Sequence, residues 1–309
     1  HDTALGVGRT TLLTNGVITA LTDALLFGLL IRAGYRPVAS LCTVAAYALG
    51  TIALVHAKGY FSEPLTALAL VTAAYGVVRW REAFDDRFVA LAGFGLGVAF
   101  LNRPTYAVAA AMVGVWCLGT ALRARRHWTD IVRSAVWGVA PLVGCGAVQA
   151  WLDWLRFGRL LDLGYADQST RFTASFLVGL AGEVLSPGKG LLVYCPVLLL
   201  SIVGARRFWK RDRGLAALCL AMVVAYLMLY APWHAWFGGS HAWGPRYLLP
   251  IVPFAVMPMV VTWEKLFDDQ RPWPLGLAVL ATAASVAIEV AGASFDYIPY
   301  VEQLFQDHH

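Results

Sequence analysis

The sequence is short of charge. Asp, Glu, Lys and Arg make up 14% of its 309 residues, against about a quarter in soluble domains, so there is too little polar surface to enclose a water-soluble core. Lysine is scarcer still, with 4 against 20 arginines, a ratio that suits a GC-rich bacterial genome. The five cysteines (Cys42, Cys117, Cys145, Cys195, Cys219) all sit inside apolar runs and none forms a CxxC pair. That pattern indicates neither a disulfide framework nor a zinc site. What the sequence does have is 59% hydrophobic residues and 12 Trp, 12 Tyr and 15 Phe, which excludes a disordered chain. An all-α polytopic integral membrane protein, one transmembrane domain over residues 1–309, remains.

A spanning helix takes about 20 apolar residues, and ten runs approach that: 12–31, 38–55, 64–78, 88–100, 105–122, 131–152, 191–203, 215–230, 247–261 and 274–291. The fourth is the weakest. Its thirteen residues rise only about 20 Å as a helix, which suggests a filler helix or one arm of a broken hairpin. The net charge of +5 does not point to nucleic acid, because the basic residues cluster in short connections between runs. Alternate connections hold 16 and 8 of the Lys and Arg, and the richer set is expected on the cytoplasmic side. Both ends of the sequence then face outside, in the cell membrane. An outside start with no basic-then-apolar leader leads us to expect at least one more span upstream of His1.

Two external loops stand out. Residues 153–190 begin with Asp153, Arg156, Arg159 and Asp162 interleaved with Trp154, Leu155, Phe157, Leu160 and Leu161, the pattern of an amphipathic helix lying in the interface. Residues 231–246 read APWHAWFGGSHAWGPR. Its Trp residues suit either an interfacial aromatic belt or a substrate pocket built from His234, His241, Trp236 and Trp243.

Polar residues at the external edge form a short list. Glu63 in GYFSEP either moves a proton or holds a divalent cation, or caps the helix starting at Pro64. Lys189 in SPGKG sits in a turn whose following helix offers amides to a phosphate; the Walker spacing is absent. Arg103 precedes Pro104. Arg246 in GPRY presents a guanidinium fork matched to phosphate, or snorkels to headgroups. Asn15, Asp23 and Glu289 lie within apolar runs, where polar groups face a bundle interior; Asp23 keeps a transporter reading open. His234 and His241, seven apart, do not have the spacing of a zinc helix, and no metal site is expected from them.

GYFSEP, LNRP, SPGKGLLVYCP and the Trp-rich loop ending in GPRYLLPIVPF together resemble the polytopic glycosyltransferases of the GT-C type, in particular proteins similar to dolichyl-phosphate-mannose protein mannosyltransferases. The resemblance implies a polyprenyl-phosphate-linked sugar as donor and inverting transfer on the external face. It implies that Arg246 contacts the lipid phosphate, with Lys189 and Arg103 as weaker counterparts, and that Glu63 takes the place of an acidic residue near metal or acceptor. The family's catalytic base lies on the first external loop, which has no counterpart here and would fall upstream of His1. Membrane lipids and membrane protein partners are implied, and without that loop a non-catalytic subunit is the alternative.

Overall fold

The structure is a computed structural model and describes residues 2–160, 171–239, 242–269 and 271–295, with side chains from residue 13 onward. The fold is all-helical, with no strand among the described residues. In chain order the helices are α1 (Asp2–Arg32), α2 (Pro37–Gly50), α3 (Ala53–His56), α4 (Glu63–Ala83), α5 (Asp86–Asn102), α6 (Ala107–Arg123), α7 (Trp128–Phe157), α8 (Phe176–Leu185), α9 (Leu191–Tyr194), α10 (Leu199–Arg211), α11 (Arg213–Tyr230), α12 (Val252–Val256), α13 (Met259–Asp269) and α14 (Pro272–Ser294). Short 3₁₀ turns lead into α6, α10 and α12.

Five helical stretches are long and apolar enough to cross a membrane: Leu13–Arg32, Pro104–Arg123, Trp128–Phe157, Arg213–Tyr230 and Pro272–Ser294. A sixth arises if Arg246–Val256 and Met259–Asp269, bent by 42°, count as one span. The other runs form shorter or more charged helices. α2 has 14 residues and α5 has 17, α4 carries Arg79, Arg81 and Glu82 in its last turns, and the run at 191–203 is broken at Cys195 into α9, a 3₁₀ turn and α10.

The weak fourth run proves to be central to the packing. α5 lies between α4 and α7, and glycines on its opposite faces allow the approach. A Cβ on Gly95 would lie 2.5 Å from the Ala69 carbonyl of α4, and one on Gly93 would overlap the Gly138 carbonyl of α7. Small residues let helix backbones meet closely where water supplies no driving force between them. The same glycines make the run look weak on a hydropathy count. Asp85 caps the helix by accepting from the Arg87 amide at 3.0 Å, the usual way to satisfy an orphan donor of the first turn.

Ion pairs tie one end of the bundle together. Arg36 meets Asp268 at 2.5 Å, Arg81 meets Asp212 at 2.6 Å, Arg133 meets Asp86 at 2.6 Å, and Arg211 meets Glu264. These residues belong to the connections with the larger Lys and Arg count. The opposite end gathers the other connections. The Asn15 amide donates to the carbonyls of Gly59 (2.6 Å) and Phe61 (2.9 Å), and the Lys58 ammonium donates to that of Ala293.

The expected interfacial helix at 153 onward has a different form. Residues 153–157 continue the long helix α7, with Asp153 buried and accepting from Gln149 one turn back at 2.7 Å. That bond runs within the helix, so burying Asp153 does not require the helix to end there. Gly158 at φ +69° then ends the helix, and Asp162 lies outside the described residues. Further on, the 171–174 segment pairs with the Trp-rich loop, His234 N donating to Arg171 O (2.9 Å) and Ala174 N to Pro232 O (3.0 Å). The two unusual loops therefore fold on each other.

Candidate functional site

Three of the sequence-selected residues come together. Oε1 of Glu63, in the first turn of α4, lies 3.3 Å from Nε of Arg246 and 3.4 Å from a terminal nitrogen of Arg103. The Glu63 side chain is 4% exposed and the two arginines about a fifth, so all three are largely withdrawn from water. Glu63 is helical itself, and Ser62 precedes the helix without a side-chain cap bond. The carboxylate serves the arginines rather than the cap.

Aromatic rings shape the rest. The Arg246 guanidinium carbon lies 4.6 Å from the Phe61 ring centroid and 5.0 Å from that of Tyr247, and Arg103 lies 4.7 Å from the same Tyr247 ring. Planar guanidinium groups are attracted to aromatic faces, more strongly where water is thin. Tyr230 stacks on Tyr247 at 5.2 Å, and Tyr226 and Tyr106 continue the row. Arg246 is also set by its own backbone neighbours. Gly238, at φ +82°, approaches so closely that a Cβ there would sit 3.0 Å from the Arg246 Cβ, which is why the loop needs glycine at that position.

Lys189 stands at the edge of this cluster. Its ammonium donates to the carbonyls of Gly239 (3.0 Å) and Ala242, clasping the Trp-rich loop. Burial, and secondarily the charge of Arg246, push its pKa down to about 8. The turn in SPGKG spends its amides locally, Gly190 N donating to Ser186 O at 2.6 Å. The helix that follows, α9, has only four residues, too short to offer the expected anion site at its N-terminus.

The remaining pocket residues are spread apart. Trp236 lies against α8, where a Cβ on Gly182 would overlap its ring. Trp243 packs on Gly292 of α14 and meets Tyr194 edge-on at 5.1 Å, beside the fully buried Glu289. His234 is exposed and stacks on Trp233 at 4.8 Å. His241 lies outside the described residues. Trp236 and Trp243 fasten the loop to α8 and α14. Asp23 remains within α1, its Oδ1 buried and unpartnered.

Sequence reasoning missed Phe61, Tyr247 and His56. The first two stand inside GYFSEP and GPRY, where nothing in the pattern sets them apart from the many other aromatic residues. His56, one residue beyond an apolar run, gave no local signal. It is 1% exposed, with Nδ1 2.8 Å from Ile52 O, Nε2 unpartnered, and its ring 5.3 Å from Phe61. Burial pushes its pKa down to about 4, with Arg246 and Lys189 pushing the same way and the Ile52 carbonyl opposing. It is neutral at physiological pH. Glu183 of α8 was also missed. It is fully buried with neither carboxylate oxygen hydrogen-bonded, and burial pushes it up to about 8.

A divalent cation does not fit this donor set. Among the described residues no group of three His, Cys, Asp or Glu side chains could hold a metal, and the Glu63 oxygen is already shared by two guanidinium groups. What the cluster can do is bind an anion. Two guanidinium groups share one carboxylate and Lys189 adds to the field near Arg246, so positive charge is left over, and partial burial weakens its screening. No protein-family model and no curated protein matches the chain.

Proposed function

We propose that this chain is a GT-C-like glycosyltransferase of the cell membrane that holds the phosphate of a polyprenyl-phosphate sugar donor at Arg246 and Arg103 and passes the sugar to an acceptor on the external face. The observation that carries the reading is the convergence of Arg246 and Arg103 on the buried carboxylate of Glu63, with Lys189 near Arg246 and without an ion-pair partner among the described residues. When the bond between sugar carbon and phosphate oxygen breaks, its electron pair stays on the phosphate. Fixed guanidinium groups in a partly dry site stabilise that developing charge without having to reorganise. Glu63 positions both arginines.

In this reading the chain makes about ten passes. α2, α4, α5 and the α9–α10 stretch cross along with the six other candidates. The alternation of ion-paired and site ends along the chain supports this. The end rich in Lys and Arg is cytoplasmic by the positive-inside rule, which puts the site and both ends of the sequence outside.

Transfer from a radiolabelled polyprenyl-phosphate hexose, with the protein reconstituted in lipid nanodiscs, tests the proposal. Release of unsugared polyprenyl phosphate with labelled acceptor is expected. Carrier binding without release would favour a non-catalytic subunit, and neither binding nor release would overturn both readings.

Lys189 makes carrier binding pH-dependent. A bound phosphate favours the ammonium form, whereas the free site gives up that proton near pH 8. Affinity is therefore expected to hold below about pH 8 and to fall above it by up to roughly tenfold per unit. Carrier titrations at several pH values should show this slope, and Lys189→Arg, which keeps its charge, should flatten it.

A further inference from the structure

At the end of the bundle opposite Glu63, a groove of about 430 Å³ runs between α6 and α11. Its walls are mostly apolar, including Met112, Val115 and Trp116 from α6 and Ala217 and Leu218 from α11. Both helices are among those long and apolar enough to cross a membrane, and Val115 is 72% exposed, so the groove opens on the lipid-facing side. Arg123, the last residue of α6, and Arg213, the first of α11, stand at its mouth. A second, more polar recess of about 520 Å³ continues from there and shares Trp116, Arg123 and Gly214 with the groove.

The charges around this mouth do not cancel. Asp212 is taken by Arg81 at 2.6 Å and also caps α11 through the Leu215 amide at 3.0 Å. Glu82 is taken by Arg79 at 2.7 Å. Arg123 and Arg213 are exposed and have no ion-pair partner among the described residues. Two surplus guanidinium groups at interface depth, above an apolar channel directed into the membrane, match a molecule with one anionic head and an acyl tail. Basic pockets between spanning helices on the cytoplasmic side bind such headgroups, and a guanidinium fork suits a phosphate.

We propose that the α6–α11 groove binds one anionic membrane phospholipid, its phosphate on Arg123 and Arg213 and an acyl chain along the groove past Trp116. The site rests on the membrane reading alone and is separate from sugar transfer. A second copy of the chain would need complementary acid facing these arginines, whereas a phosphodiester headgroup supplies the charge itself.

The test is native mass spectrometry of the detergent-purified protein titrated with phosphatidylglycerol or with phosphatidylcholine of identical acyl chains. Phosphatidylglycerol should be retained preferentially, and the double variant Arg123→Gln, Arg213→Gln should weaken its retention roughly tenfold or more. Gly119 lines the groove, and a Cβ there meets no atom within 4 Å. Gly119→Leu should therefore displace both lipids while leaving the helical circular dichroism and thermal unfolding unchanged. Equal retention of the two lipids, or a double variant that behaves as wild type, would overturn the proposal. So would competition by glycerophosphoglycerol, which shares the headgroup without the tails, or a dimer that Gly119→Leu dissociates.

Discussion

Replacing Arg246 with alanine is expected to weaken polyprenyl phosphate binding by roughly tenfold to a hundredfold, the range for losing a hydrogen bond to a charged group. Transfer should fall by more, because charge on the departing phosphate grows as the bond breaks and the lost guanidinium is most useful there. Folding should largely survive. Arg103 still pairs with Glu63 at 3.4 Å, so no carboxylate is left buried alone, and Phe61 and Tyr247 lose a cation between them but keep their own packing. Binding titrations with the lipid phosphate, together with thermal unfolding, separate these effects. Unchanged binding and transfer in a well-folded variant would remove Arg246 from the phosphate site.

Removing Glu63 should act on stability instead. Glu63→Ala leaves two largely buried guanidinium groups facing each other without a counter-ion, and breaking a buried ion pair from one side costs about 3 kcal/mol or more. The same carboxylate secures three separate parts of the chain: the start of α4, the turn after α5 and the Trp-rich loop. Loss of thermal stability and of purified yield is expected, with Glu63→Gln milder because its amide oxygen still accepts from Arg103 and still faces Arg246. If stability is unchanged and only transfer is lost, Glu63 moves a proton rather than holding the arginines.

Glu63, Arg103, Lys189 and Arg246 could be picked out from the sequence because charge at the edge of an apolar run is expensive and therefore conspicuous. Their convergence could not. Glu63 and Arg246 are 183 positions apart, and no local pattern encodes that distance. Phe61 and Tyr247 were invisible for a different reason: aromatic residues are abundant here and abundance hides function. In the Trp-rich loop, Trp236 and Trp243 fill the notches made by Gly182 and Gly292, contacts between distant segments that no local pattern encodes. The helical class followed directly from composition. Helix length was harder, because α5 owes its place to three glycines, Gly93, Gly95 and Gly97, that lower its hydropathy while letting it touch α4 and α7. Ion pairs join the connections richer in Lys and Arg, and the Glu63 cluster lies among the others.

The central claim is that the cluster around Glu63 holds a lipid-linked phosphate, and an experimental structure of the protein with polyprenyl phosphate bound tests it most directly. The account predicts the phosphate within hydrogen-bond reach of Arg246 and Arg103, about 3 Å from a guanidinium nitrogen, with the isoprenoid tail leaving toward the membrane. A phosphate found elsewhere, whether at Arg123 and Arg213 or away from any arginine, with Arg246 still paired only to Glu63, would contradict it.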